Sequence, residues 1–235
     1  MQVDKQQLRE ELGQRWKRLW PVTSGPPRPP VFEGVGRAAE RLRRLDVYRR
    51  AQVVAVMADA VLMQVRINVL SDGKQLLGIT PGLKQGMVLV DPGRVAVHRR
   101  RRALAGAMLH KTGRLVRLPD QRPPKIDLMV VGALAVDSRG ICLGDGRGIA
   151  DLAWAILGSL GAMEESTPVA VVVADEQVVE LLPSEAWDLP VTHILTPTRV
   201  LTPPSPARPI PSLSALPPRL ARLPVVQATR MAVTS

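Results

Sequence analysis

One cysteine, three histidines and an aromatic content of 3% leave this chain of 235 residues without several common kinds of chemistry. Cys142 alone excludes an internal disulfide framework, and with only His98, His110 and His193 beside it a zinc centre built from Cys and His is excluded too. A single Phe and a single Tyr leave few rings on which unpaired bases could stack, which argues against a single-strand binder. Long apolar runs are also missing. Residues 128–136 and 169–174 are the longest, well short of the roughly 18–20 residues a membrane-spanning helix requires. The opening stretch MQVDKQQLREELGQRWKRLW alternates charges where an export signal would carry an apolar core. A cytoplasmic location with no membrane partner is therefore expected.

Apolar residues at 46% are ample for a buried core. Lys and Arg outnumber Asp and Glu by 32 to 21, a net charge of +11 that makes polyanions a partner class to weigh. The densest basic cluster is HRRRRAL, His98 to Leu104. Its plain reading is a solvated loop leading into a surface helix, and its alternative is a nucleic-acid site.

The pattern of apolar residues alternates between strand and helix. Leu8, Leu12, Trp16 and Leu19 recur at helical spacing from Val3 to Trp20, predicting an amphipathic N-terminal helix stopped by Pro21. TSGPPRPPVFEGVG then reads as extended chain crossing the surface. Helices are expected near 36–45, 60–70 and 150–160, and buried strands near 53–57, 76–80, 87–90, 128–131, 169–173 and 193–195. This order predicts an α/β fold: a Rossmann-like three-layer sandwich with a mostly parallel sheet and an N-terminal helix. Residues 1–202 form that domain in this reading. Residues 203–235 form a Pro-rich C-terminal arm, either an extended segment wrapping the domain and docked through Leu213, Leu216, Leu220 and Leu223, or a disordered tail, because proline cannot sustain a helix or central strand for long.

RGICLGDGRGIADL, residues 139–152, is the candidate site. Gly144, Gly146 and Gly148 sit between an expected strand and an expected helix, where backbone N–H groups can approach phosphate oxygens and the helix N-terminus adds partial positive charge. A tight turn with no ligand explains the same glycines equally well.

Five segments in order resemble the 5-formyltetrahydrofolate cyclo-ligase (methenyltetrahydrofolate synthetase) family, especially its cyclo-ligase-like paralogues. They are Lys5, Arg9 and Trp16; Asp59, Val65, Arg66, Gly73 and Lys74; IDLMVVGALAVDSRG leading into GDGRGIADL; TPVAVVVADEQVVE; and ILTPTRV at 194–200. The resemblance implies ATP in the glycine loop with Mg²⁺, and a reduced folate beside it. It also implies a reaction in which ATP phosphorylates the formyl oxygen, a ring nitrogen closes on the activated carbon, and phosphate leaves. Carried over residue by residue, Lys5, Arg9, Gly144, Gly146 and Gly148 would hold ATP, Asp151 would be catalytic and near the metal, and Asp59 and Arg66 would bind substrate; Arg147, a cation two residues after Asp145 that would compensate for that acid, is the other catalytic candidate. Without the resemblance, Lys5 and Arg9 read as the wet face of a helix and Asp151 as a first-turn acid.

The chain departs from the family pattern at chemistry-bearing positions. Cys142 and Leu152 stand where cations are expected, Asp145 where a cation is frequent, and Ile149 where an aromatic is expected. Gly82 replaces an arginine, Ala174 a histidine, and Met57-Ala58-Asp59 an Asn-Pro-Asp. The readings thus remain an active ATP-dependent cyclo-ligase, a paralogue that keeps the fold and binds a nucleotide, pterin or phosphorylated metabolite, some relatives being linked to thiamin metabolism, and a basic nucleic-acid-binding module.

Overall fold

Strand β1, Val53–Met57, is buried along its whole length, and that is why it can occupy the middle of a sheet covered on both faces. The computed structural model describes residues 4–20, 26–84, 86–204 and 209–234. In chain order the helices are α1 (Lys5–Leu19), α2 (Val35–Arg44), α3 (Asp46–Arg50), α4 (Met63–Ser71), α5 (Arg100–Ala103), α6 (Ile149–Ser159), α7 (Pro218–Ala221) and α8 (Pro224–Thr234). The further strands are β2 (Gln75–Ile79), β3 (Met87–Val90), β4 (Arg114–Val116), β5 (Leu128–Gly132), β6 (Ala135–Asp137), β7 (Cys142–Leu143), β8 (Val169–Val172), β9 (Val178–Val179), β10 (His193–Leu195) and β11 (Val200–Leu201).

The main sheet has eight strands in the order β11-β10-β8-β5-β1-β2-β3-β4. Its centre, from β10 to β2, is parallel, and antiparallel strands finish each edge. Helices flank it: α2 packs with α4 and contacts β8 and β10, while α6 packs with α8. The expected α/β architecture with a mostly parallel sheet is what the structure shows. From β1 the chain steps to β2 on one side and later returns to β5, β8 and β10 on the other. The strand order therefore reverses between β1 and β5, and ligands of open α/β sheets bind outside the carboxyl ends of the strands at such a point.

A second sheet, β7-β6-β9, carries α1. Leu12 and Trp16 of that helix bury against Leu134, Ala135, Ile141, Leu143 and Leu182, and the Trp16 indole N–H donates to Leu134 O at 2.8 Å. Asp4 caps the helix by accepting from Gln6 N. Pro21, the expected stop signal, lies outside the described residues.

Two expectations need correction. The Pro-rich stretch after α1 does not simply cross the surface: Pro29 and Pro30 are buried, and Phe32 joins the main core. Its start, 21–25, is outside the described residues. The C-terminal arm is not merely extended, because Pro218 and Pro224 each stand at a first helical position, where proline's missing N–H costs nothing. Leu213, Leu216, Leu220 and Val226 are buried in the main core. Residues 205–208 of the arm are likewise outside the described set.

Asp72 ties the outer helices together. It accepts from Arg43 Nε at 2.9 Å and from the Tyr48 hydroxyl at 2.8 Å. Burial alone would raise its pKa, but the hydrogen bonds from Arg43 and Tyr48, with the charges of Arg43 and Lys74, outweigh that and hold it below the ordinary carboxylate range. A depressed folded-state pKa contributes stability that is present above the unfolded value of about 3.9 and lost as pH falls through the folded value. Asp72→Asn is therefore expected to destabilise by about 1 kcal/mol or less at neutral pH, solvent screening reducing the worth of the contacts, with the deficit shrinking below roughly pH 4. Urea titrations across pH check this, and a deficit independent of pH would contradict it.

Candidate functional site

Three aspartates and the glycine loop meet at the β1/β5 reversal. Asp59 follows β1, Gly132 ends β5, and a small recess of about 50 Å³ there is lined also by Gly144, Asp145, Arg147, Gly148 and Asp151. It adjoins a larger cavity of about 520 Å³ through the shared Pro29, Met57, Asp59, Arg147 and Ile149. The walls of that cavity are largely apolar, including Val31, Met63 and Ile79, and Asp59, Arg66 and Arg147 are its charged groups together with Arg28. A mostly apolar pocket with a few placed polar groups is the usual form of a small-molecule site.

The loop itself is built by backbone conformation. Gly146 and Gly148 have φ of +88° and +68°, which side-chain-bearing residues rarely adopt. Gly148 is the N-cap of α6 and supplies no side-chain hydrogen bond, so the first-turn N–H groups of that helix are not capped from it. Asp145 accepts from Arg147 N at 3.0 Å and from Arg147 Nε at 2.6 Å, closing the loop on itself.

The expected site residues divide between two sides of this loop. Asp59, Arg66, Arg147 and Asp151 belong to the recess and the cavity. Lys5 and Arg9 instead line a separate pocket of about 550 Å³ with Glu185, Trp187 and Arg219. Lys5 Nζ lies 2.7 and 2.9 Å from the Asp188 carboxylate and 3.4 Å from Glu185, and sits 5.4 Å from the centre of a Trp187 ring. Arg9 Nε donates to Gly144 O at 3.0 Å.

Each acid of the recess is held in a distinct way. Burial pushes Asp59 up to about 6, and the neighbouring charge of Asp145 adds to the shift while Arg66 and Arg147 oppose it. Burial also pushes Asp151 up to about 6, opposed by the hydrogen bond that its Oδ1 accepts from Leu189 N at 2.8 Å. Burial raises the Cys142 thiol well above its ordinary value, with Asp151 the next contributor. Among the described residues no three His, Cys, Asp or Glu side chains come together to hold a metal ion.

Arg66 is fully buried, at 0% exposure, and acts first as a clamp: it donates to Leu104 O, Met57 O and Asp59 O, fixing the end of β1. Its Nη2 has no hydrogen-bond partner among the described residues. Other segments of the family resemblance are equally structural. The buried Gln177 amide donates to Ala133 O and Leu134 O and accepts from Ala174 N. Asp175 accepts from the Thr196 and Thr198 hydroxyls of the TPTRV segment. Lys74 donates to Ala51 O and Arg49 O.

The basic run behaves less simply than a solvated loop. Arg100 is buried and donates to Ser71 Oγ and Val95 O, whereas Arg99 and Arg102 line a groove with Arg94, His98 and Lys111, apart from the glycine loop. Sequence reasoning missed Glu185, Trp187, Asp188 and Arg219, and no spacing could have pointed to them. The Lys5–Asp188 contact spans 183 positions.

A mixed α/β sheet with a glycine loop and a half-buried acid at its strand-order reversal defines a Rossmann-like fold with a candidate small-molecule site. Residues 1–197 match the 5-formyltetrahydrofolate cyclo-ligase family, and the chain belongs to it. It is 36% identical over 214 residues to the methenyltetrahydrofolate synthase domain-containing protein of Bos taurus, a match that covers 85% of this chain and 54% of that protein. The human protein of the same name is 35% identical over 210 residues, covering 85% and 53%. The chain thus spans about half the length of these relatives. A 5-formyltetrahydrofolate cyclo-ligase of Mycolicibacterium smegmatis is 35% identical over 82 residues, covering 35% of this chain and 39% of that one. Among solved structures, the Aquifex aeolicus 5,10-methenyltetrahydrofolate synthetase superposes with a TM-score of 0.55 at 21% identity, covering 86% and 94% of the two chains. That likeness speaks to the fold. No helix among the described residues is long and apolar enough to cross a membrane.

Proposed function

We propose that this chain is an ATP- and Mg²⁺-dependent cyclo-ligase that converts 5-formyltetrahydrofolate to 5,10-methenyltetrahydrofolate. The observation that carries this reading is the cavity of about 520 Å³ that opens at Asp59 and Arg147 onto the glycine loop, at the carboxyl ends of β1 and β5. Family membership of residues 1–197 supports it.

The residues present fit the polyphosphate of a nucleotide. A Cβ on Gly144 would meet nothing within 4 Å, whereas one on Gly146 would stand 3.3 Å from the Arg9 side chain, so the loop is open on one side and lined by a cation on the other. Gly144, Gly146 and Gly148 with Arg9 would hold the phosphates, and Lys5 would contribute charge despite its pairing with Asp188. Mg²⁺ in such sites rests mainly on phosphates and water with one or two carboxylates, and Asp151 is the carboxylate assigned to it. ATP, when bound, supplies the phosphoryl group that turns the formyl oxygen into a leaving group.

The chain's own part is positioning and charge. Asp59 faces the cavity and accepts N–H donors of the reduced pterin. Ile149, Met63 and Val31 keep water from the activated carbon. Arg147, lining both the recess and the cavity, would stabilise charge building on the transferring oxygen, and Arg66 keeps Asp59 in place by holding its backbone carbonyl.

One observation favours a second reading, a paralogue that binds a reduced folate or related pterin without ligation. The Asp145 carboxylate is held against Arg147, placing negative charge in the loop and neutralising the cation that chemistry needs. Incubating purified protein with ATP, Mg²⁺ and 5-formyltetrahydrofolate and following the absorbance of the methenyl product decides between them. Product formation is expected. No product, together with thermal stabilisation by the folate alone, would establish the second reading, and no response of either kind would overturn both.

A further inference from the structure

Arg219 lies outside the family-matched residues 1–197, yet it reaches the glycine loop: its Nη1 donates to Gly146 O. Arg9, from the first helix, donates to Gly144 O two residues earlier. Two guanidinium groups, 210 positions apart by residue number (219 − 9), therefore grip alternate carbonyls of one turn and line one pocket of about 550 Å³. Their charges repel, and the pKa of Arg9 is lowered first by burial and then by Arg219.

The acids nearby are already engaged. Asp188 and Glu185 hold Lys5, and Asp145 holds Arg147. Arg9 and Arg219 instead donate to carbonyls, which carry no net charge, and Asp145, Asp188 and Glu185 offset the Arg9 charge only in part, burial and Arg219 being the larger influences. Each guanidinium has five N–H donors, so most of them remain for another acceptor. An arrangement of this kind is stabilised by an anion that sits between the cations and accepts from both.

The segment carrying Arg219 is anchored rather than loose. Leu213, Leu216 and Leu220 on either side of it are each no more than 5% exposed, and Leu220 packs so closely on Gly148 that a Cβ there would stand 2.9 Å from its Cδ1. Trp187, in contact with the same glycine, forms another wall. The C-terminal segment thus holds a cation at a loop whose own sequence has Cys142 and Leu152 where cations are expected.

We propose that Arg219 is a phosphate-binding residue of the glycine-loop site, supplied by the C-terminal segment and acting with Arg9 on the polyphosphate of a nucleoside triphosphate. This deepens the cyclo-ligase reading and rests on it for the nucleotide, while the anion site stands on the two arginines.

Calorimetric titration of wild type, Arg219→Gln and Arg219→Lys with ATP and, separately, with inorganic tripolyphosphate tests it. Arg219→Gln is expected to weaken both ligands by about tenfold and to reduce the salt dependence of binding, with partial recovery in Arg219→Lys. The side chain is exposed, and far-UV circular dichroism with a melting curve verifies that each variant is folded. Equal binding by wild type and a folded Arg219→Gln would overturn the proposal while leaving the cyclo-ligase reading intact, and tighter binding by the variant would overturn it in favour of an obstructing segment. Tripolyphosphate binding that depends on Arg219, without ATP binding, would retain the anion site and remove the nucleotide. Failure of wild type to bind either ligand would overturn both.

Discussion

Asp59→Asn is expected to lower methenyl-product formation by about 100-fold or more while raising the melting temperature. The two effects have one cause. Asp59 is a carboxyl held near pKa 6 by burial and by the charge of Asp145, so at neutral pH the fold carries an ionised group in a site that disfavours ionisation. A raised folded-state pKa means that the native protein retains a proton the unfolded chain has released. Stability consequently falls as pH rises from about 4 to about 6, and the deficit persists above that range. Asparagine removes the ionisation and keeps the shape, for an expected gain of about 1–2 kcal/mol after allowance for partial exposure, or roughly 2–8 °C at this size. The same change removes an acceptor for substrate N–H groups, and losing an acid–base or charged contact of this kind typically costs on the order of 10²–10⁴ in rate. Steady-state kinetics paired with a thermal melt check both halves. Activity within about threefold of wild type would remove Asp59 from the site.

Trp16→Ala is expected to destabilise the protein by about 3–5 kcal/mol in urea, the usual cost of deleting a buried aromatic. Trp16 is 1% exposed, its N–H is committed to Leu134 O, and its ring packs in a tilted arrangement against Trp20 with centroids 5.4 Å apart. The effect should reach the site as well, because α1 carries Lys5 and Arg9. Loosening that helix from the small sheet is predicted to weaken ATP binding even at temperatures where the variant remains folded. A loss below about 1 kcal/mol would mean that α1 docks through other contacts. Trp16→Phe, which keeps an aromatic ring but drops the hydrogen bond, is expected to lie between the two.

Much of the architecture was readable because its causes are local. The run Val53–Met57 has apolar side chains on both faces, a pattern suited to a strand covered on each side, and the glycine before Ile149 marks where a helix can start. The Pro-rich arm was harder. Proline argues against helix interiors, but Pro218 and Pro224 sit at helix starts, where the same chemistry is favourable. The Pro-rich stretch before α2 was harder for a different reason: Pro29 and Phe32 are buried by partners that no local pattern names.

The site was legible as residue types and illegible as geometry. Gly144, Gly146, Gly148, Asp59 and Asp151 could be singled out, and they do line one recess, apart from Gly146, which faces Arg9. That Lys5 and Arg9 approach the loop from another pocket could not be read from spacing, nor could the commitment of Lys5 to Asp188. Arg66, read as a substrate contact, spends its visible hydrogen bonds on three carbonyls.

By itself the sequence determined the α/β order of elements, the positions of the central strands, the glycine turn and the family, because burial periodicity, turn conformation and motif spacing are carried by neighbouring residues. Only the tertiary structure decided which charges cancel and which remain. Ion pairs and shared cavities join residues as far apart as Lys5 and Asp188 or Arg9 and Arg219, and whether two charges attract, repel or invite a third depends on distances that exist only once the chain has folded.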